Sequence, residues 1–142
     1  MINPLLEHNT LPPFNEILPE HIVPAIETIL KELRLGIEEL LETRPYSYES
    51  LVKARENLED KLHQAWSPVS HLNSVMNSVE LRDAHAVCLA MITDYYTEVG
   101  QNRRLFMAYQ SIASSAQYDS LPPARRKVID NALRDFRLSG ID

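Results

Sequence analysis

The sequence predicts an all-α protein, an antiparallel bundle of five to six helices that follows an irregular N-terminal arm. Three observations predict this class. Apolar residues recur at spacings of three and four along most of the chain, which is the period of an α-helix. No segment alternates apolar and polar residues over the length of a strand. Only three glycines occur in 142 residues, so the nine prolines mark the breaks, and the short connections favour antiparallel neighbours.

Composition indicates one soluble domain or a piece of a larger protein. The net charge of −6 argues against non-specific nucleic-acid binding. No apolar run approaches the ~20 residues of a membrane span. No Lys or Arg precedes Lys31, so a secretory leader would lack its basic region. Because Cys88 is the single cysteine, a reducing compartment is expected. We therefore expect a cytoplasmic location, with no nucleic acid and no membrane as partner.

The chain divides into an arm, residues 1–18, and a helical part, residues 19–142. Prolines disfavour helix in the arm. The first helix is predicted from about Pro19 to about Leu41, and Pro24 is tolerable there only in the first turn. Its apolar stripe is Ile22, Ile26, Ile29, Leu33, Ile37 and Leu40.

A second helix is predicted after Pro45, with Ser47 as its N-cap and an end near Trp66. The Ser67-Pro68 pair has the form of a new helix start, but it is also compatible with a kink in a continuing helix. We leave both possibilities open. In either case the residues that follow share one face.

Three further helices complete the prediction. Ser78 is the expected N-cap of a helix that Gly100 either ends or is absorbed into, and another helix covers about 102–114. Residues 117–121 are predicted to form a loop. The last helix begins at Pro122-Pro123 and ends near Ser139. Gly140 then occupies the position of a C′ glycine, with Ile141 placed for the hydrophobic contact of a Schellman motif.

Residues 62–79, called here the uncharged stretch, stand out because they contain no charged side chain. At a charged fraction of 24%, about four charges would be expected there. The composition is compatible with a catalytic Ser/His site around His71, with a partner surface, or with a tightly packed internal helix. The candidate packing or interface residues are Trp66, Val69, Leu72, Met76 and Val79.

The histidines predict neither a metal site nor a nucleophile. No pair of the five has the H-E-x-x-H spacing, and a structural zinc site would need more than one cysteine. A serine nucleophile near His71 would need a carboxylate to orient the base, and the uncharged stretch has none. No histidine is followed by a lysine at the third position, as phosphotransfer of the H-x-x-K-G type would require.

Two other groups could take part in chemistry. Cys88 lies on an apolar stripe, which indicates a buried, inert thiol. The basic run 125–127 is expected to form a solvated face or to pair internally, for example Arg126 with Asp130, and the alternative is a contact with an anion or a partner. Spacing alone therefore predicts no catalytic, cofactor-binding or metal-binding residue.

Several long strings resemble one family of enzymes. They are "NPLL" and "LPPFNEILPEHIVPAI" near the start, "WSPVSHLNSVMNSVELRDA" at 66–84, "VGQNRRLFMAY" at 99–109 and "DNALRDFRLSGI" at 130–141. In order and spacing they resemble the opening of the oligopeptidase A-like members of the thimet oligopeptidase and neurolysin family of zinc metallopeptidases. The resemblance covers essentially the whole chain.

The resemblance implies a mostly helical enzyme, several times longer than this chain, with a deep channel that admits short peptides. It also implies a zinc ion on an H-E-x-x-H helix far downstream, whose glutamate activates the zinc-bound water. None of those residues occurs here, so no catalytic or metal role is carried over to any position. The chain is then either an excised N-terminal segment or a truncated product, and its end just after Gly140 favours a cut at a segment boundary.

The interpretation is an N-terminal, non-catalytic segment of a zinc-dependent oligopeptidase that helps to form the wall of the peptide channel. Its expected partners are the catalytic part of the parent enzyme and the oligopeptide substrate of that parent. Zinc is implied for the parent only. The isolated segment is expected to form a homodimer through the uncharged stretch, and the alternative function is a free-standing helical protein-interaction module. An independent enzyme is the third and weakest reading.

Overall fold

A computed structural model describes residues 18–76 and 78–141, and these residues are helical almost throughout. The elements are α1 (Pro19–Glu42), a π-helical turn (Tyr48–Lys53), α2 (Ala54–Val75), α3 (Val79–Gly100), α4 (Arg103–Ala113), α5 (Ala116–Ser120) and α6 (Pro123–Leu138). The described residues contain six α-helices and no strand. The all-α prediction is confirmed. The predicted arm, apart from Leu18, lies outside the described residues.

The chain divides into two compact units. The first unit combines Met1–Arg34 with Leu58–Asp94, and the second combines Leu35–Asn57 with Tyr95–Asp142. Helices α1, α2 and α3 contribute residues to both units, whereas α4, α5 and α6 belong to the second unit alone.

The core of the first unit is built from one apolar face on each of three helices. The buried residues are Ile22, Ala25, Ile26, Ile29, Leu30 and Leu33 from α1, Leu62, Ala65, Val69 and Leu72 from α2, and Leu81, Ala84, Cys88 and Ile92 from α3. Their spacing of three and four residues is the one that the sequence predicts. Each large aliphatic side chain removed from water contributes about 1.5–3 kcal/mol, so this core is the main source of stability of the unit.

Pro24 lies in the second turn of α1, so its predicted place in the first turn is wrong. The helix begins at Pro19, and Pro24 stands inside it. Proline has no N–H to donate to the carbonyl of Glu20. The side chain of Pro24 is exposed, so water can reach this part of the helix, and the hydroxyl of Thr28 donates to the Pro24 carbonyl over 2.9 Å.

Ser47 is the N-cap of the second helical segment, as predicted. Its hydroxyl accepts from the N–H of Ser50 over 3.0 Å, and the Ser50 hydroxyl accepts from the N–H of Ser47 over 3.0 Å. This reciprocal capping box satisfies two backbone donors at the helix start. The π-helical turn follows, and α2 then runs without a break through Pro68. The helix therefore continues past Ser67-Pro68 and does not restart there.

The predicted loop at 117–121 is wrong, because Ala116–Ser120 forms the short helix α5. Five residues make little more than one turn, so no periodic stripe could reveal it. Tertiary hydrogen bonds hold it instead. The Gln117 amide donates to the Tyr46 carbonyl over 3.0 Å, and the Gln117 amide oxygen accepts from the N–H of Tyr48 over 3.3 Å.

An aromatic cluster joins α4 to α6 in the second unit. The ring of Phe136 meets Phe106 and Tyr109 edge to face, with centroids 5.7 Å apart in both pairs. Such pairs contribute about 0.5–1.5 kcal/mol beyond the area that they bury. Gly100 packs against the end of α6, because a Cβ at this position would lie 2.8 Å from the Ser139 hydroxyl oxygen.

Helix α6 ends in the predicted Schellman motif. Gly140 has a φ of +106°, its N–H donates to the Arg137 carbonyl, and the N–H of Ile141 donates to the Phe136 carbonyl, both over 3.1 Å. Ile141 is buried and supplies the expected hydrophobic contact. This motif satisfies two of the last carbonyls of the helix.

Gly140→Ala should destabilise the chain by about 1–2 kcal/mol, because a Cβ is strained at positive φ. Urea unfolding followed by circular dichroism measures this. Ser139→Ala is the matched control, since Ser139 keeps a right-handed helical φ of −83°. Equal unfolding midpoints for the two variants would contradict the assignment.

Candidate functional site

The uncharged stretch has a buried part and an exposed end. Leu62, Ala65, Pro68, Val69 and Leu72 are buried in the first unit. At the end of α2 and the start of α3, by contrast, Val75, Met76 and Val79 are 63%, 54% and 58% exposed. These three residues are called the corner patch below. Of the predicted packing or interface residues, Val69 and Leu72 lie in the core, Trp66 is half-buried, and Met76 and Val79 face outwards. Their role in an interface stays a prediction.

Trp66 is held by a ring contact that the sequence did not indicate. Its indole stacks on the imidazole of His85, with centroids 4.7 Å apart and planes 27° apart. His85 lies on α3, so the stack joins α2 to α3 inside the first unit. A ring contact of this kind gives His85 a packing role.

Two of the serines that surround His71 form hydrogen bonds with the helix backbone. The Ser74 hydroxyl donates to the carbonyl of His71 over 2.7 Å. The Ser78 hydroxyl accepts from the N–H of Leu81 over 3.2 Å, which confirms Ser78 as the N-cap of α3. It also lies 3.1 Å from a carboxylate oxygen of Glu80. Hydrogen bonds from the backbone N–H of Glu80 and from Ser78 lower the pKa of that carboxyl, as expected at a helix N-terminus.

Cys88 is buried completely, as the sequence predicts. Burial, with a smaller contribution from the charge of Glu27, raises the pKa of its thiol to about 11. Thiolates are the reactive form of cysteine, so this side chain is held in its unreactive form. Among the residues that the structure describes, no group of three His, Cys, Asp or Glu side chains is placed to hold a metal ion.

Within the basic run 125–127, Arg125 is held by two contacts with the π-helical turn. The guanidinium of Arg125 donates to the Glu49 carboxylate over 2.8 Å and lies 4.6 Å from the centroid of the Tyr48 ring. Asp130, the expected partner of Arg126, accepts from the Tyr118 hydroxyl at both oxygens, over 2.8 and 3.0 Å. This hydrogen bond raises the pKa of Tyr118.

A groove of about 760 Å³ opens in the second unit. It is called the arginine groove below. Its lining comes from the segment after α1, from α4, and from the segment around α5, and consists of Arg44, Pro45, Tyr46, Arg103, Arg104, Met107, Ala108, Ser111, Ser115 and Gln117. The three arginines are the only charged members of this lining, in a chain whose net charge is −6.

The sequence did not reveal the arginine groove, because its basic residues are far apart along the chain. One signal was present. Arg103 and Arg104 are the first two residues of α4, next to the positive end of the helix dipole, where cations are unfavourable. Arg104 offsets this by an ion pair of 2.9 Å with Glu38. Arg103 has no carboxylate partner in the described part of the chain.

A family model settles the assignment of the chain. Residues 26–142 match the model of the neurolysin/thimet oligopeptidase N-terminal domain. The chain belongs to this family. The resemblance that the sequence strings indicate is thereby confirmed.

The described helices were also compared with the length and hydropathy of a membrane span. None of them is long and apolar enough to cross a membrane.

Members of the family with curated names match over nearly the whole chain. Oligopeptidase A of Haemophilus influenzae is 46% identical over 141 residues, and oligopeptidase A of Escherichia coli is 46% identical over 142 residues. A probable cytosolic oligopeptidase A of Arabidopsis thaliana is 30% identical over 139 residues. The alignments cover 99%, 99% and 98% of this chain but 21%, 21% and 20% of those relatives.

The chain thus spans about a fifth of the length of the relatives that it matches. Its place at the N-terminus follows from the family model, which describes an N-terminal domain. No H-E-x-x-H motif occurs in the 142 residues. The described residues give the first unit a packed core and give the second unit an arginine groove.

The Cys88 thiol should be nearly inert in the folded chain. A pKa of about 11 instead of 9.0 lowers the thiolate fraction at pH 8 by about a hundredfold, and burial blocks access as well. The rate at which Cys88 reacts with Ellman's reagent at pH 8 is measured for the folded chain and, in denaturant, for the unfolded chain. Equal rates in the folded and unfolded chain would contradict the assignment of Cys88 as a core residue.

Proposed function

We propose that the chain is the N-terminal, non-catalytic segment of a zinc-dependent oligopeptidase that hydrolyses short peptides. The observation that carries the proposal is the match over 99% of this chain to proteins named oligopeptidase A, of which it spans 21%. The segment helps to form the wall of the channel through which peptides reach the active site. Its partners are the catalytic part of the parent and the oligopeptide substrate. The single buried cysteine supports a cytoplasmic location.

The described residues of this chain do not fit a zinc site. They offer no cluster of three ligating side chains, and the sequence lacks the H-E-x-x-H spacing that would place two zinc ligands on one helical face. The zinc ligands and the general base therefore come from the remainder of the parent. This segment contributes shape and packing, and we assign it no chemical step.

The corner patch is the surface that we assign to the contact with the rest of the parent. It places three large apolar side chains, each more than half exposed, within five consecutive positions. The relatives are about five times longer than this chain, which leaves a large body of protein to cover the patch. Burying these side chains would remove a substantial apolar area from water, at roughly 25 cal/mol per Å². In the isolated chain the same patch is available to a second copy.

The parent polypeptide should bind one zinc ion and cleave a quenched fluorescent peptide, whereas the 142-residue chain should do neither. Metal analysis of the purified proteins and a fluorescence assay test both statements. Stoichiometric zinc on the short chain, or peptide turnover by it that His71→Ala abolishes, would contradict the proposal.

Met76→Lys should weaken self-association of the isolated chain without unfolding it, because Met76 is 54% exposed. Val69→Lys is the matched comparison. Val69 is 0% exposed, so a charge placed there should unfold the first unit.

Sedimentation velocity over a concentration series, with circular dichroism on the same samples, separates the effects. A wild-type chain that stays monomeric at all concentrations would remove the homodimer from the proposal. A Met76→Lys variant that loses its helical signal would show that the corner patch is internal core.

A further inference from the structure

We propose that the arginine groove binds an acidic oligopeptide, whose carboxylates are received by Arg44 and Arg103. That the ligand is a peptide rests on the proposed function. The preference for carboxylates rests on the groove itself. All the residues that line the groove belong to the second unit.

The three hydroxyl groups in the lining already donate hydrogen bonds within the fold. The hydroxyls of Ser111 and Ser115 donate to the backbone carbonyls of Ala108 and Ile112, over 2.7 Å in each case. The Tyr46 hydroxyl donates to the Leu41 carbonyl. Because their O–H donors are engaged within the fold, these hydroxyls can only accept hydrogen bonds from a ligand in the groove. The strong hydrogen-bond donors of the groove are therefore the guanidinium groups. They favour a ligand that accepts hydrogen bonds.

The positive charge of the groove is only partly balanced by Glu38. Arg104 is paired with Glu38, but Arg44 and Arg103 have no carboxylate partner among the residues that the structure describes. Arg44 lies over the Tyr46 ring, with its guanidinium carbon 5.5 Å from the ring centroid. A guanidinium presents a planar fork that matches the two oxygens of a carboxylate. Two such forks in one groove favour a ligand with more than one carboxylate.

The size and lining of the groove indicate what kind of ligand would fit. A groove of about 760 Å³ lies within the range of roughly 300–1,000 Å³ that is typical of small-ligand sites. Met107, which is 54% exposed, and Pro45 add apolar surface to the lining. Hydrogen bonds with the Gln117 side chain hold the backbone at Tyr46 and Tyr48, so this wall of the groove is preorganised for a ligand. The arrangement suits a short peptide with an apolar side chain next to a carboxylate, and not an inorganic anion.

The test is a titration of the full 142-residue chain with two matched peptides. One is the blocked pentapeptide Ala-Leu-Glu-Ala-Glu, and the other replaces both Glu residues by Gln. Labelled methionine methyl groups are followed by NMR. The Met107 methyl signal should shift on addition of the acidic peptide, with at least tenfold weaker binding for the amide peptide, and the Met76 signal should stay unchanged.

Variants locate the site. Arg44→Gln combined with Arg103→Gln should weaken binding of the acidic peptide at least tenfold. Both side chains are exposed and carry no internal ion pair, so the fold should be kept. Arg82→Gln removes one positive charge from an exposed position in the first unit, and this variant should bind like the wild type.

Three results would overturn the proposal. Equal binding of the two peptides, or no shift at Met107, would show that the groove does not select carboxylates. Inorganic phosphate that displaces the peptide with equal affinity would indicate a simple anion site. If the double variant does not fold, the comparison of the two peptides on the wild-type chain still tests whether the groove selects carboxylates. These measurements involve no catalysis, so their failure is distinct from a failure of the parent to show zinc-dependent peptidase activity.

Discussion

The apolar stripe of α1 is the constraint on which the rest of the structure depends. Ile22, Ile26, Ile29 and Leu33 are buried in the first unit, and the same helix goes on to bury Ile37 and Leu41 in the second. One uninterrupted helix thus supplies core residues to both units. A polar substitution on this stripe would place an unsatisfied group in a core, at a cost of several kcal/mol. The remaining helices must present apolar faces to the same cores, which is why their spacing is so regular.

The stripes also explain how much of the fold the sequence could predict. A helix with one fully buried face carries a periodic pattern, so α1, α3, α4 and α6 were located within a few residues, and the capping roles of Ser47 and Ser78 followed from their side chains. Helix α5 has too few residues to show a period. Its position depends on the hydrogen bonds of Gln117 with residues that are distant in the sequence, and local propensity does not report such contacts. Proline is compatible with both a helix start and a continuing helix, so Ser67-Pro68 alone could not decide between them.

The sites were harder to predict than the fold, for a physical reason. The uncharged stretch was visible as a composition, yet its sequence could not reveal that Val69 is covered while Met76 is exposed, since both lie on the same predicted face. Coverage depends on where α2 ends relative to its neighbours. The arginine groove combines Arg44 with Arg103, which only the folded second unit brings to one place. The H-E-x-x-H motif does not occur in the 142 residues. The proposed function therefore rests on the family assignment, and the structure adds the two surfaces.

The central claim is that this chain works as the N-terminal part of a longer zinc peptidase. The most direct measurement is the intact mass and peptide map of the natural product, captured from cells with an antibody against residues 19–142. The account predicts a polypeptide several times the 16.3 kDa of this chain, with tryptic peptides that continue past Asp142 and include an H-E-x-x-H sequence. A natural product that has the mass of this chain alone, and no peptide beyond Asp142, would contradict it.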